Sequence, residues 1–277
     1  MIDVLLATYM PNQKYLKEQI GSIRAQKDVH VNIISREDVA NNGVCANFSA
    51  LLETSTAEYV AFSDQDDVWM EDKLARTLMK MREMESMYGA EAPLLVFTDA
   101  KVVDENLRLL DHSLFYRTKI DPNRLSPQSL ILQNVANGNT MLFNAALREK
   151  VKQIPKEAFM HDHWVALVAS VFGKTTCINE PTLYYRQHIG NVLGGCKVGL
   201  FYYFHKFFFD FSSTKKRFNA YIRQAEEFAR RYPDAPDCFK ACVGFEQKNW
   251  FERRRLLVKY GIFKRGFLRN LGIFMIA

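Results

Sequence analysis

The chain has 277 residues, 48% hydrophobic and 25% charged, a balance that allows a sizeable core and argues against long disorder. It has no apolar run of about 18 residues, and "MIDVLLATY" lacks a basic leader, so neither a spanning helix nor a secretory signal is expected and a cytoplasmic protein is. Charge divides unevenly: residues 197–277 hold 17 Lys and Arg against 7 Asp and Glu, while residues 1–196 hold 20 against 24, which places any anionic partner against the last third.

In chain order, "IDVLLATY" (2–9) is a short apolar run ending in small polar residues, the pattern of a buried strand. Leu16, Ile20 and Ile23 then recur at helical spacing, and "VNIIS" (31–35) reads as a second strand, giving a strand-helix-strand unit of the parallel α/β type. A helix is expected over 46–55 and a third strand over 59–64. "EDKLARTLMKMREMESMY" (71–88) aligns Leu74, Leu78, Met81 and Tyr88 on one face, with acids expected in its first turn. A strand over 93–104 follows, then a helix capped by Ser126 with Pro127 first, and a strand over 137–144. A buried helix over 161–173 and an extended stretch over 175–188 complete this part. Five cysteines (Cys45, Cys177, Cys196, Cys238, Cys242) form no CxxC pair, which fits reduced thiols, and Cys238 and Cys242 read as one helix face.

From residue 200 the style changes. "LFYYFHKFFFDF" (200–211) packs eight aromatics into twelve positions. After it, Phe218, Tyr221, Ile222, Ala225 and Phe228 share one helical face opposite basic residues. Aromatic belts beside basic amphipathic helices suit a membrane surface; burial in a core or a homodimer contact is the alternative. Nucleic acid is not expected, because no RNA or DNA motif accompanies the charge.

The chemistry concentrates at "SDQDDVW" (63–69), where Asp64, Asp66 and Asp67 follow an apolar strand. Like charges this close repel and lose solvation, a cost that a divalent cation or many hydrogen bonds must offset. In open parallel sheets ligands sit at the carboxyl ends of strands, which is where this cluster falls. Oxygen ligands there can hold a hard cation and leave positions open for a diphosphate.

"KYLKEQIGSI", "NNGVCANFSALL", "EYVAFSDQDDVWMEDKL", "NGNTMLFN", "HDHW" and "YYRQHIGNVLGG" occur in an order and spacing that resembles the family-2 inverting glycosyltransferases of the GT-A fold, bacterial rhamnosyltransferase-like enzymes in particular. The resemblance covers about residues 1–196. It implies an α/β GT-A domain, Rossmann-like, with a mostly parallel sheet flanked by helices, followed over 197–277 by a basic, aromatic-rich helical membrane-associating region. Ala7, Thr8 and Tyr9 match the loop against the nucleotide base and ribose. Asp64 matches the acid contacting the nucleotide sugar, and Asp66 the ligand of Mg²⁺ or Mn²⁺, with Asp67 assisting. Asp162 matches the catalytic base, Gly138 and Asn139 the strand lining the acceptor side, and His188 a late histidine completing the metal site. The implied reaction moves rhamnose from dTDP-rhamnose, or another sugar from a UDP-sugar, onto a carbohydrate or lipid-linked acceptor at the inner face of the cell membrane.

Two departures from that pattern stand out. "NIISREDVANNGV" runs from the second strand almost straight into the N-x-G segment, so that Glu37 and Asp38 stand for an acidic pair of the donor site while roughly twenty residues are missing; that loss would expose a sheet edge and weaken nucleotide binding. Met10 stands where asparagine is common. These departures keep open a catalytically impaired GT-A-like partner in a membrane assembly complex. A metal-dependent nucleotidyltransferase would explain the acids but neither "HDHW" nor "YRQH". Asp162 read by itself also fits a helix cap.

Overall fold

The computed structural model describes residues 1–188 and 211–277. The aromatic run at 200–210, Cys196 and the tail of the "YYRQHIGNVLGG" motif lie outside the described residues.

The strand-helix-strand unit forms as expected. Strand β1 (Ile2–Thr8) leads to helix α1 (Gln13–Arg24) and strand β2 (Val31–Glu37), which pairs in parallel with β1. Asn12 caps α1 by accepting from the amides of Lys14 and Tyr15, leaving two orphan donors satisfied. Helix α2 (Val44–Thr54) leads to strand β3 (Tyr59–Ser63), parallel to β1 on its other side. A two-residue strand β4 (Val68–Trp69) and helix α3 (Lys73–Tyr88) follow. Glu71 and Asp72 precede α3, so the acids expected in its first turn stand at its threshold.

Strand β5 (Leu94–Val103), strand β6 (Leu109–Asp111) and helix α4 (Leu114–Thr118) lead to helix α5 (Pro127–Leu132), capped by Ser126 with Pro127 in its first turn. The strand expected over 137–144 is mostly a 3-10 turn, Gly138–Thr140, and only Leu142–Asn144 is strand β7. Helix α6 (Ala145–Val151), helix α7 (His161–Phe172) and strand β8 (Lys174–Arg186) complete the α/β part.

The sheet runs β2-β1-β3-β7-β5-β8-β4, with β6 on β5. Its long pairings, β1 with β2 and β3 and β5 with β8, are parallel, and the short ones through β7, β4 and β6 are antiparallel. Alternation along each strand splits the apolar residues between two layers. Leu5, Phe62, Leu95 and Phe97 meet α2, α5 and α7 on one face, while Val4, Ala61, Leu94 and Val96 meet α1 and α3 on the other. Strand β2 is half-buried or exposed along its length and has no neighbour beyond it among the described residues, which is the exposed edge that the shortened connection implied.

Beyond the undescribed segment come α8 (Phe211–Arg231), α9 (Asp237–Lys240), α10 (Trp250–Lys259) and α11 (Phe267–Ile276). The face of α8 read as membrane-directed is spent inside the protein: Phe218, Tyr221, Ile222, Ala225 and Phe228 belong to the same buried cluster as Leu5, Phe62 and Trp164. Cys238 and Cys242 join them, and burial pushes the Cys238 thiol up to about 11. These helices therefore complete a core, and the expected boundary at 196/197 separates no apolar clusters.

Phe228 has no exposed surface, stacks on Phe239 at 4.2 Å between ring centroids and lies 5.4 Å from Trp164. Phe228→Ala is expected to cost about 3–5 kcal/mol, read as a lower urea midpoint in one cooperative transition; a separate early transition for the C-terminal helices would mark them as an independent unit.

Candidate active site

Because β1 and β3 pair in parallel, their carboxyl ends lie side by side, and the 64–67 loop after β3 brings the acids there. Asp67 turns inward. It is buried, its Oδ1 accepts from the Arg186 amide at 2.8 Å and its Oδ2 from the Asn139 side-chain amide. Both oxygens expected to assist a metal are thus used to tie the loop to β8 and to the Gly138–Thr140 turn. Burial, then the charges of Asp66 and Asp64, hold the Asp67 carboxyl well above the usual range.

Asp64 and Asp66 are partly buried. Burial, followed by the neighbouring charges of Asp66 and Asp162, pushes Asp64 up to about 7. Gly138, which donates to Asp162, and Asn139, which donates to Asp67, are adjacent, so one turn links Asp162 to the loop. Asp66 Oδ2 accepts from His188 Nε2 at 2.6 Å, and the His188 ring lies 5.7 Å from that of Tyr15. Asp66 and His188 are therefore in direct contact, while both oxygens of Asp67 are bonded elsewhere.

Asp162 lies in the first turn of α7, whose N-cap is Met160, so it is not the cap residue. Its Oδ2 accepts from the Gly138 amide at 3.0 Å and its Oδ1 from the His163 amide at 2.6 Å. Burial pushes its carboxyl up to about 6 against the lowering effect of those two donors. The flanking histidines are buried and neutral. His161 is driven down to about 3 by burial, stacked 3.8 Å from Phe48, with both ring nitrogens unpartnered in the structure. His163, down to about 4, donates from Nε2 to the Leu130 carbonyl at 2.5 Å and accepts at Nδ1 from Gln224, which fixes its tautomer. Asn139, expected along the acceptor side, is buried and spends its amide on Asp67.

On the donor side, Ala7 and Tyr9 are partly open and Thr8 is buried. The Gln65 side chain brackets Tyr9, accepting from its amide at 2.8 Å and donating to its carbonyl at 3.2 Å. Met10 has φ +42°, in the left-handed region that asparagine tolerates better, a physical reason for the usual residue there. Glu37 is exposed, whereas Asp38 closes on its own turn, accepting from the amides of Asn42 and Gly43. Those donors, the Asn42 amide foremost, hold its carboxyl below the usual range. The two acids thus diverge.

Arg186 was not singled out by sequence reasoning, though an arginine ending an apolar strand is a signal. Fully buried, it donates to the Asp66 and Glu105 carbonyls at 2.7 Å each, pairs with Glu18 at 2.5 Å and lies 4.2 Å over the Tyr15 ring. Asn47 was missed as well; it donates to the carbonyls of Thr8 and Arg36 and joins β1 to β2 at the site. No group of three or more His, Cys, Asp or Glu side chains is gathered at ligand geometry among the described residues. The donor set of Asp66 carboxylate and His188 imidazole still fits a divalent cation that takes its other ligands from a bound phosphate or water.

Gly138 has no room for a side chain: an added Cβ would lie 2.7 Å from His161 Nε2 and 3.3 Å from the Asp162 Cβ. Because Phe48 and Phe62 wedge His161, Gly138→Ala is expected to lower stability by about 1–3 kcal/mol, measured by thermal melting; an unchanged midpoint would mean that the α7 start yields freely.

Residues 12–93, less than a third of the chain, match the family profile Glycosyl transferase family 2. An uncharacterized glycosyltransferase of Nostoc sp. is 25% identical over 225 residues, which take in 69% of this chain and 66% of that protein, just under two thirds of its length. Among solved structures, Staphylococcus aureus TarS 1–349 superposes with a TM-score of 0.53 at 14% identity, over 94% of this chain and 88% of that one. Its complex with UDP-GlcNAc gives 0.51 at 13% identity, over 94% and 79%. A mannosyltransferase of Pyrobaculum calidifontis, in complex with GDP-Man and Mn²⁺, gives 0.50 at 14% identity, over 99% and 78%. These likenesses establish the GT-A fold.

Proposed function

We propose that this GT-A chain is an inverting glycosyltransferase that moves a sugar from a nucleoside diphosphate donor to an acceptor hydroxyl, with Asp162 as the base. The observation that carries this reading is the turn that ties Asp162, on a helix start, to the acidic loop after β3: Gly138 donates its amide to Asp162 while the next residue, Asn139, donates its side-chain amide to Asp67. An acceptor hydroxyl loses its proton as it attacks the anomeric carbon, and a carboxylate within hydrogen-bond reach can take that proton. Asp162 suits the task because two backbone amides fix its oxygens and burial raises it toward neutrality. A single displacement from the face opposite the leaving group inverts the anomeric centre. Asp66 and His188 would hold Mg²⁺ or Mn²⁺, as the mannosyltransferase neighbour carries Mn²⁺; when bound, such an ion neutralises charge on the departing diphosphate. Asp64 would contact the nucleotide sugar, and Ala7, Thr8 and Tyr9 would lie against its base and ribose. The donor we assign from the motifs is dTDP-rhamnose, with UDP-sugars as the competing class, and the acceptor is a carbohydrate or lipid-linked saccharide at a membrane surface. No helix among the described residues is long and apolar enough to cross a membrane, so the association would be peripheral.

A second reading, a GT-A-like partner protein without turnover, is favoured by one observation. The turn after β2 is short, and Asp38 bonds within it instead of facing a ligand.

Turnover is expected to rise with pH through about 6 as Asp162 ionises. Asp162→Asn should lower kcat by about 10²–10⁴ while donor binding persists; near-normal turnover would leave Asp162 as an ordering residue of the helix start. Thermal shift with a nucleotide-sugar panel separates enzyme from partner protein. Donor at a hundredfold excess over its Kd is worth about 2.7 kcal/mol of stability, and the gain is expected to need Mn²⁺ and to vanish in Asp66→Ala. No shift with any donor would favour the partner reading.

A further inference from the structure

The base proposed above is held by more than its own carboxylate bonds, and the hold comes from the C-terminal third of the chain. Gln224, within α8, has no exposed surface. Its Oε1 accepts from the Phe159 amide at 2.8 Å, and its Nε2 lies 3.2 Å from His163 Nδ1. Phe159 precedes Asp162 on the approach to α7 and His163 follows it directly, so one side chain from a helix remote in sequence grips the α7 start on both sides of the base.

The donor and acceptor roles along this path are forced. A backbone N–H can only donate, so the oxygen of the Gln224 amide faces Phe159 and its NH2 group faces His163. An NH2 group can only donate in turn, so His163 Nδ1 offers a lone pair and Nε2 carries the proton, which meets the Leu130 carbonyl at 2.5 Å. The ring is thereby fixed between α5 and α8 in one neutral form, because a second ring proton would point at the Gln224 NH2 group. Through that ring the His163 backbone is anchored, and it is the His163 amide that donates to Asp162 Oδ1 at 2.6 Å.

The surroundings show that the amide is not there for packing. Tyr221, three residues earlier on α8, lies 4.4 Å from the Phe159 ring and 5.5 Å from the His163 ring, so the same helix already supplies an aromatic plate against both residues. Burying a carboxamide beside such rings is costly unless both of its ends are bonded. Both ends are spent on the two residues that bracket Asp162. We infer that Gln224 is a positioning residue, which fixes the α7 start and, through His163, the orientation of Asp162. Its catalytic purpose rests on the reading of Asp162 as the base; the hold on the helix start does not. The C-terminal helices then serve the site as well as the core.

The test compares Gln224→Met, which keeps the length and loses both bonds, with Gln224→Glu, whose carboxyl group can still accept from Phe159 and bond to His163. Gln224→Asn, a methylene too short to reach both partners, repeats the comparison should the methionine variant not fold. Phe239→Ala, which removes the ring stacked on Phe228 and no hydrogen bond of the bracket, controls for lost stability. Hydrogen exchange over residues 158–164 needs no turnover and is expected to quicken at least about tenfold in Gln224→Met. Its kcat should fall by about 10–100-fold with the donor KM within about twofold of the parent, the pattern of a base out of place. In Gln224→Glu both exchange and kcat are expected within about threefold of the parent. Unchanged exchange in Gln224→Met, or an equal loss of kcat in Phe239→Ala, overturns the proposal. Asp162→Asn in the same assays keeps the two readings apart. Near-normal turnover there, with fast exchange in Gln224→Met, would refute Asp162 as the base and leave Gln224 as the tie of the helix start. An inactive Asp162→Asn beside a fully active Gln224→Met would refute the positioning role alone.

Discussion

One buried carboxylate sets the geometry of the site. Asp67 accepts from the backbone of β8 and from the side chain of the Gly138–Thr140 turn, so the loop after β3 is fixed to two elements far away in sequence. Arg186 reinforces the tie by holding the Asp66 carbonyl from below while pairing with Glu18 on α1. With the loop anchored from the inside, one of three neighbouring acids is committed to structure, while Asp66 meets His188 and Asp64 stays partly accessible. A buried ionic hub of this kind is costly to form, and it is stable only because nearly every donor of the guanidinium finds an acceptor.

The same division explains what sequence could and could not reveal. The β1–α1–β2 unit, β3, α3 and α7 follow from apolar spacing and capping residues, which act locally. Strands β4 and β6, of two and three residues, are too short to show any period and exist because β8 and β5 offer them partners. The 3-10 turn at Gly138 reads as strand because its residues alternate, yet the close approach of His161 leaves it no extended path. At the site, Asp64, Asp66 and Asp67 were legible as an acidic cluster at a strand end, and Asp162 was singled out only through the family resemblance. The inward turn of Asp67 and the roles of Asn139, Arg186 and Asn47 were not, since each depends on contacts between residues dozens of positions apart.

The C-terminal third illustrates how an amphipathic pattern underdetermines its environment. The apolar stripe of α8 and the exposed stripe of α11 look alike in sequence, and both are flanked by arginine and lysine. One meets Trp164, Phe239 and the α/β layer, and the other meets solvent. Only the fold decides which stripe finds a neighbour. The consequence for organisation is that the helices after residue 211 are a wall of the same core, and the chain cannot be trimmed there without opening it.

Strand β2 carries a separate consequence. Its outer row of amides and carbonyls is unshielded among the described residues, and a free rim of this sort can template the addition of foreign strands. Asn32, Arg36 and Glu37 line it with polar and ionised groups. Polar and ionised groups of this kind act as gatekeepers against runaway stacking, guarding a margin that the packed layers leave open.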